Sequence, residues 1–275
     1  MSIVGGAAAL VMGFVLGLLG GGGSILAVPI LVFLLGVEAK SAIATSLIVV
    51  GATSAFAVVN HARNGNVVWR TGLVFGAFAM GGAFLGGLLA KFIPGHVLLI
   101  LFASLMLATA VAMLRSKRQS EEDGGSAGED KPLPIPKIAA EGLVVGAVTG
   151  LVGAGGGFLV VPALALLGGL PMRKAIGTSL FVIALKSFAG FAGYAGHVSI
   201  DVELVTGFVG AAVVGTVIGS QTAKVVEAAK LRRAFAVFVF AMGVFIIAQK
   251  TGLISMGGRS APDSEKPQAA LRGEA

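Results

Sequence analysis

The sequence contains no cysteine and few charged residues, and each shortage excludes a class of protein. Without cysteine there is neither a disulfide framework nor a thiolate metal site. Charged residues make up 12% of the chain, against roughly 25% in a soluble domain. The apolar residues, at 56%, are collected in long runs of the kind that form transmembrane helices. The composition therefore predicts an all-α protein that crosses a membrane several times.

Motifs for catalysis or ATP-driven pumping are also missing. No set of His, Asp and Glu has metal-ligand spacing, no nucleophile lies beside a base, and there is no P-loop. The glycines of Gly153–Gly157 interrupt an apolar segment instead of following the strand that a dinucleotide-binding loop requires. The net charge of +7 comes from basic residues at the ends of apolar segments, where they orient spans rather than bind nucleic acid. We expect no cofactor, no metal, no nucleic-acid partner and no enzymatic activity.

The sequence does contain an internal duplication. Gly17–Leu47 aligns without gaps on Gly150–Leu180, 133 residues later, and 16 of the 31 positions are identical. Both copies have a glycine-rich turn, a proline and a Thr-Ser-Leu motif. The chain is therefore expected to consist of two homologous halves. Because residues from Gly13 onward recur in the second half, the first apolar segment is not expected to be a signal peptide.

Changes in composition divide the chain into a first membrane repeat (1–114), a hydrophilic linker (115–137), a second membrane repeat (138–256) and a disordered tail (257–275). Each repeat should begin with a glycine-broken, re-entrant hairpin. As one straight helix, residues 3–36 would span about 51 Å, whereas a bilayer core is about 30 Å thick. Three transmembrane helices should follow each hairpin: Ser41–Val59, Thr71–Ala90 and Val97–Leu114, then Ala175–Tyr194, Val202–Ala223 and Leu231–Ile254.

The distribution of basic residues predicts the topology. Three full spans in each repeat make the two repeats inverted, which places 13 Lys and Arg residues on one side of the membrane and six on the other. Counting one span for each interrupted segment gives 11 and eight. The inverted arrangement obeys the positive-inside rule better, with both chain ends outside and the linker in the cytoplasm.

The two glycine turns are candidate anion sites. Non-helical backbone persists inside a membrane only where it is buried in protein or lines a cavity. A helix that starts after such a turn directs its free N–H groups and positive dipole end back towards it. Turns from two inverted repeats could meet near the midplane and hold an anion, or the glycines could simply allow tight hairpins. The residues concerned are Gly22, Gly23 and Ser24 in the first turn, and Gly155, Gly156 and Gly157 in the second.

Lys186 is the strongest candidate for a residue that binds substrate. It is the twelfth residue of the span Ala175–Tyr194, far from both ends, and a charge at that depth is a functional hypothesis by default. Ser179 lies seven residues earlier, on the same helix face. The equivalent residues of the first repeat are Thr53 and Ser46. We predict that Lys186 supplies the fixed positive charge of a substrate site, although it could also snorkel or bind backbone carbonyls.

The repeated Thr-Ser-Leu motifs add two further candidates, Thr45 and Thr178. Their hydroxyls, and those of the serines that follow them, could donate to the oxygens of a substrate. They could equally bond back to their own helix. Their repetition favours the functional alternative.

Two motifs carry a family resemblance: G-L-L-G-G-G-G-S-x-L-x-V-P and G-L-V-G-A-G-G-G-F-L-V-V-P, each followed by A-T-S-L or G-T-S-L. With them the chain resembles the TauE/SafE family of bacterial sulfite and sulfonate exporters over about residues 5–252. The resemblance implies a secondary transporter in the bacterial inner membrane that exports a small sulfur oxyanion such as sulfite or sulfoacetate. The implied partners are this small anionic substrate and the lipid bilayer, with a homodimer left open. Ser24 stands where the second copy has Gly157, so the two turns need not be equivalent.

Other functions stay open at this point. The same fold could form an anion channel or import another small anion, such as a carboxylate, or a metal complex. A membrane-embedded enzyme or a scaffold for partner proteins is disfavoured by the lack of paired acids, cysteine and clustered histidine. Because there is no P-loop, the energy for transport should come from the membrane potential or a proton gradient.

Overall fold

The computed structural model describes residues 3–19, 22–115, 135–153, 157–164, 170–222 and 228–250. These residues form helices and connecting loops, and they contain no β-strand. The first-half helices are α1 (Ile3–Leu19), α2 (Ala27–Pro29), α3 (Ala39–Arg63), α4 (Trp69–Leu89) and α5 (Gly95–Arg115). The second-half helices are α6 (Ile135–Val152), α7 (Gly157–Pro162), α8 (Met172–Tyr194), α9 (Val202–Thr222) and α10 (Ala228–Lys250).

Several of these helices have the length and apolarity of membrane spans. Four candidates meet both criteria among the described residues: Ala39–Arg63, Trp69–Phe92, Lys174–Tyr194 and Val202–Thr222. Large apolar side chains such as Leu73, Phe84 and Leu89 on α4 are exposed on the outer surface, as expected for a face in contact with lipid. The all-helical architecture is confirmed, and four of the six predicted spans have the length and apolarity to cross a membrane. The other two, Val97–Leu114 and Leu231–Ile254, overlap α5 and α10, whose described apolar stretches are shorter, and residues 223 and 251–254 lie outside the described residues.

Some observed helices extend beyond the predicted spans, and α3 is one of them. It begins at Ala39, where the carboxylate of Glu38 accepts a hydrogen bond from the amide of Ser41 at 3.3 Å. It then runs through the polar residues 60–63, because the helical hydrogen-bond pattern does not stop where the apolar run does. In the second half, α6 begins at Ile135, three residues before the expected repeat boundary at Ile138.

The duplication is visible in the helix boundaries. A shift of 133 residues carries α4 onto α9 residue for residue, and it carries the first residues of α3 and α5 onto those of α8 and α10. The most extensive helix contacts cross between the halves: α4 packs on α6, and the equivalent pair α9 packs on α1. Helix α3 also packs on its own equivalent, α8, and α5 packs on α10. The two halves therefore interleave and share one core.

Small residues allow these helices to approach closely. On α6, Gly146 and Gly150 lie against the backbone of Ala79 and Ala83 on α4, where an added Cβ would overlap backbone atoms. At the equivalent positions on α1, Gly13 and Gly17 lie against Ala212 and Thr216 of α9 in the same way. Glycines four residues apart thus bring two pairs of helix backbones together, as small residues do between helices in lipid.

Helices α3 and α8 run antiparallel. The start of α8 lies against the residues that follow α3, since the amide of Val68 donates a hydrogen bond of 2.9 Å to the hydroxyl of Thr178. At the other end, residues at the start of α3 and residues that follow α8 line one common cleft; Ser41 and Ser199 are examples. The interrupted segments pack on this pair, α2 on α3 and α7 on α8.

The segment after α1 is irregular and deeply buried. A 3-10 turn (Gly22–Leu26) leads into the single turn of α2 and then into a π-type turn (Ile30–Leu34). Residues from Gly23 to Pro29 are buried. The 3-10 turn packs against α7, which occupies the corresponding place in the second half. Helices α1 and α6 end at Leu19 and Val152, where the sequence predicts the breaks, and the segments that follow, Gly22–Leu26 and Gly157–Pro162, contact one another; residues 20–21 and 154–156 lie outside the described residues.

Candidate anion-binding site

Lys186 is buried among helices and has a single hydrogen-bond partner in the described part of the chain. Its side chain is 1% exposed, and Nζ donates to the hydroxyl of Thr149 on α6 at 2.6 Å. The Thr149 hydroxyl in turn donates to the carbonyl of Val145 at 2.7 Å. No carboxylate among the described residues lies within ion-pair distance of the ammonium group. A buried charge with one neutral partner lacks a counter-charge, and a bound anion would supply one.

A small void adjoins Lys186, and it has no room for a water molecule. It is lined by Leu47, Ala83, Thr149, Gly150, Lys186 and Ser187. The hydroxyl of Ser187 is buried and has no hydrogen-bond partner. Among other buried hydroxyls, those of Thr53 and Thr216 bond to carbonyls three or four residues earlier, whereas that of Ser54, the first-repeat equivalent of Ser187, is also without a partner. A free hydroxyl on a residue that lines the same void as Lys186 is a donor that can bind a ligand oxygen, and leaving it unpaired costs about 1–3 kcal/mol.

Ser46 bonds to the second glycine turn. Its hydroxyl lies 2.5 Å from the carbonyl oxygen of Gly153 and 2.7 Å from that of Ile43, so its one proton is shared between two backbone acceptors. Gly153 has a positive φ of 70°, and a Cβ at this position would overlap Ile43. A serine predicted to donate to substrate is thus engaged in holding a glycine turn of the other repeat.

The remaining predicted hydroxyls fall into two groups. Those of Ser179 and Thr53 bond to carbonyls of their own helices, Ile176 at 2.7 Å and Val49 at 2.7 Å. Neither threonine of the repeated motifs does so. Thr178 accepts the amide of Val68, and Thr45, which is 3% exposed, lies at the cleft between α3 and α9.

The glycine-turn candidates are only partly within the described residues. Gly22 and Gly23 belong to the first 3-10 turn, and the Ser24 side chain is completely buried. Gly157 is the first residue of α7. Gly155 and Gly156 lie outside the described residues. The structure places the first turn against α7, and it places Gly150, in the helix turn before the second break, at the void beside Lys186.

Sequence reasoning missed two residues of this site, Thr149 and Ser187. Thr149 is 37 residues from its lysine partner, and a threonine on an apolar span is too common to attract notice. One signal was available: the first-repeat equivalents of Thr149 and Lys186 are Leu16 and Thr53, so a polar pair exists in one repeat only. The described residues contain no group of three His, Asp or Glu that could hold a metal ion.

Comparisons with known proteins agree with this architecture. The family described as "Sulfite exporter TauE/SafE" matches residues 5–246. A "Probable membrane transporter protein" of Xylella fastidiosa is 36% identical, and the alignment covers 86% of this chain and 91% of that protein. Proteins with names of the same kind from Methanocaldococcus jannaschii (31% identical; 71% of this chain and 79% of that protein) and Bacillus subtilis (26%; 76% and 85%) also match. No solved structure gives a significant match.

Proposed function

The chain belongs to the TauE/SafE family of membrane transporters, and on that premise we propose that it is a secondary exporter of a small sulfur oxyanion. Sulfite, or an organosulfonate such as sulfoacetate, would leave the cell across the bacterial inner membrane. The family match supports the substrate class. The observation that carries the proposal is the buried Lys186, whose one hydrogen-bond partner among the described residues is the neutral hydroxyl of Thr149.

The donors beside Lys186 suit an oxyanion, which requires the void to widen, because in this conformation it has no room for a water molecule. The ammonium supplies a positive charge, and the free hydroxyl of Ser187 supplies a second donor in the same void. A tetrahedral or pyramidal sulfur oxyanion has several oxygens, so it can accept from both groups at once. In a site screened from water each of these interactions is stronger than at the surface.

The antiparallel pairing of α3 with its equivalent α8 supports inverted repeats. Two equivalent helices that run in opposite directions are related by an axis in the membrane plane. Both chain ends would then be outside and the 115–137 linker in the cytoplasm, in agreement with the positive-inside rule. The interrupted segments, which contact each other, would be re-entrant hairpins at the centre of the protein.

The membrane potential alone would drive export. An anion that leaves a cell with a negative interior gains about 2.3 kcal/mol per charge for every 100 mV. An open anion channel is disfavoured by the packed end of the α3–α8 pair, where Val68 is hydrogen-bonded to Thr178. An exporter needs such a barrier on one side of its site at any time.

The proposal is tested by flux from proteoliposomes loaded in turn with sulfite, sulfoacetate, sulfate, thiosulfate and acetate. We expect saturable efflux of sulfite or sulfoacetate that increases as the interior is made more negative. Lys186→Met should abolish this flux, whereas Lys91→Met, which removes an exposed charge at a span end, should not. Efflux that does not saturate, or an equal rate for acetate, would rule out the proposed exporter.

A further inference from the structure

A cleft between the start of α3 and the start of α9 is lined mainly by side chains that carry oxygen. Its volume is about 270 Å³, and five of its seven lining residues have carboxylate or hydroxyl groups: Glu38, Ser41, Thr45, Ser199 and Asp201. None of the seven is basic. A water molecule takes about 30 Å³ in the liquid, so the cleft has room for an ion together with several of its waters.

Thr45 lines this cleft, and its hydroxyl has no hydrogen-bond partner among the described residues. The residue is 3% exposed, so the hydroxyl is held inside the protein. Its equivalent in the second repeat, Thr178, accepts a hydrogen bond from the amide of Val68 at 2.9 Å. A buried hydroxyl without a partner is unfavourable, and a ligand in the cleft would supply one.

The two carboxylates at the cleft have no counter-charge in the described part of the chain. Neither Glu38 nor Asp201 forms an ion pair with a described residue. The ammonium group of Lys40, two residues after Glu38, donates to the backbone carbonyl of Lys91 at 3.2 Å. Two negative charges in one cleft repel each other, and a bound cation would relieve that repulsion.

Helix capping alone does not account for these carboxylates. Each accepts a hydrogen bond from an amide in the first turn of its own helix, at 3.3 Å for Glu38 on α3 and 3.0 Å for Asp201 on α9. The equivalent residues of the other repeat, Pro171 and Val68, precede α8 and α4 without a hydrogen-bonded side-chain cap. The fold can therefore start these helices without an acid, and the acids occur in only one of the two equivalent places.

The ligands available in the cleft determine the class of cation. Carboxylate and hydroxyl oxygens bind hard cations, and the lining residues offer no sulfur or imidazole for a softer metal. Two carboxylates balance the charge of a divalent ion. Ca²⁺ accepts roughly six to eight oxygens in a flexible arrangement, whereas Mg²⁺ requires a near-ideal octahedron. A wide cleft with ligands from two separate elements therefore suits Ca²⁺ better.

We propose that this cleft binds a hard divalent cation, with Ca²⁺ preferred to Mg²⁺. Glu38 and Asp201 are its charged ligands and the hydroxyl of Thr45 is its buried ligand, each directly or through a water. The ion would join the start of α3 in the first repeat to the start of α9 in the second. Spacing along the sequence could not indicate this site, because its two acids lie in different repeats. The inference goes beyond the function proposed above, and it depends neither on Lys186 nor on an anion.

The test uses the full-length chain, purified in a nonionic detergent, freed of metal with a chelator and kept without sulfite. Equilibrium dialysis against radioactive Ca²⁺ measures binding, and circular dichroism measures the melting temperature. We expect one saturable site per chain with a Kd of about 0.1–1 mM, the range of weak extracellular calcium sites. Saturating Ca²⁺ should raise the melting temperature, because it binds the folded state. Mg²⁺ should bind about fivefold more weakly.

Three variants locate the site. Asp201→Asn and Glu38→Gln each remove one negative charge but keep an oxygen that can cap a helix, so they should fold and bind Ca²⁺ about tenfold more weakly. Thr45→Val keeps the shape of the side chain, and it should weaken binding about threefold without lowering the melting temperature of the metal-free protein. Glu203→Gln is the matched control: Glu203 lies in the first turn of α9 but does not line the cleft, so this variant should bind Ca²⁺ as the wild type does.

Three results would overturn the proposal: no saturable Ca²⁺ binding to the wild type, wild-type affinity in both Asp201→Asn and Glu38→Gln, or an equal rise in melting temperature with Na⁺ at the same ionic strength. Tighter binding of Mg²⁺ than of Ca²⁺ would contradict the preferred ion. Lys186→Met should bind Ca²⁺ as the wild type does. Ca²⁺ binding without sulfite transport would therefore contradict the proposed function and leave the cation site standing.

Discussion

The hydroxyl of Ser46 on α3 donates to the carbonyl oxygen of Gly153, 107 residues later in the chain, across a distance of 2.5 Å. The bond joins the Thr-Ser-Leu motif of the first repeat to the glycine turn of the second. The equivalent serine of the second repeat, Ser179, donates to the carbonyl of Ile176 in its own helix, so the link between repeats is seen in one direction among the described residues.

Loss of this link should reduce stability. Ser46→Ala leaves the buried carbonyl of Gly153 without its donor, and we expect a loss of about 1–2 kcal/mol in the free energy of unfolding. The melting temperature of the purified protein in detergent measures it. Ser104→Ala is the control, because Ser104 is exposed and its hydroxyl bonds only to Ile100 of its own helix. Equal melting temperatures for both variants would show that the link contributes nothing.

The glycine turn should tolerate no side chain. Gly153→Ala adds strain at a φ of 70° and also pushes a Cβ into Ile43. Gly36→Ala is the matched control, because Gly36 has a φ of 68° and open space around it. This variant therefore isolates the backbone strain of a side chain at positive φ, about 1 kcal/mol. We expect Gly153→Ala to lower the melting temperature by clearly more than Gly36→Ala does. Similar values for the two variants would mean that the turn can move away from α3.

Ser187 should contribute to substrate affinity but not to stability. Ser187→Ala removes a buried hydroxyl with no protein partner, so the melting temperature should be unchanged or slightly higher. The KM for efflux should rise about tenfold, because a donor to a charged oxygen is lost. Ser54→Ala is the control: Ser54 is the first-repeat equivalent, equally buried and unpartnered, but it follows Thr53 and not a lysine. An unchanged KM in Ser187→Ala would exclude Ser187 from the site.

The topology can be measured with single cysteines. Gly125→Cys in the linker and Gly65→Cys in the loop after α3 should be labelled from the cytoplasm, and Gly196→Cys after α8 should be labelled from outside. These sides follow from the inverted arrangement, which puts the linker and the loop after α3 on the face that carries more Lys and Arg. Labelling of Gly125→Cys only from outside would contradict it.

The sequence was sufficient to predict the helices because apolar runs and glycine breaks are local features. The break between Leu19 and Ser24 was predictable from length alone, since one helix would be too long for the bilayer. The shift of 133 residues then assigned every helix of the second half. Lys186 was identifiable because a charge in the middle of a span is rare.

The partners within the site were not predictable in this way. Nothing in the local sequence connects Thr149 with Lys186, because their contact depends on how α6 packs against α8. Ser46 and Ser187 were indistinguishable as polar residues on apolar helices. Only the packing shows that the first is bonded to a turn of the other repeat and that the second is free. The difference between the Thr45 and Thr178 ends is likewise invisible in motifs that the two repeats share.

The central claim, that Lys186 provides the charge that binds the anion, is tested most directly by sulfite binding to the purified full-length protein. Isothermal titration calorimetry would compare the wild type with Lys186→Met, which keeps much of the side-chain length, and with Lys186→Arg, which keeps the charge in a larger, planar group. We predict saturable binding to the wild type, weaker binding with altered selectivity in Lys186→Arg, and none in Lys186→Met at an unchanged melting temperature. Binding of sulfite to Lys186→Met with wild-type affinity would contradict the claim.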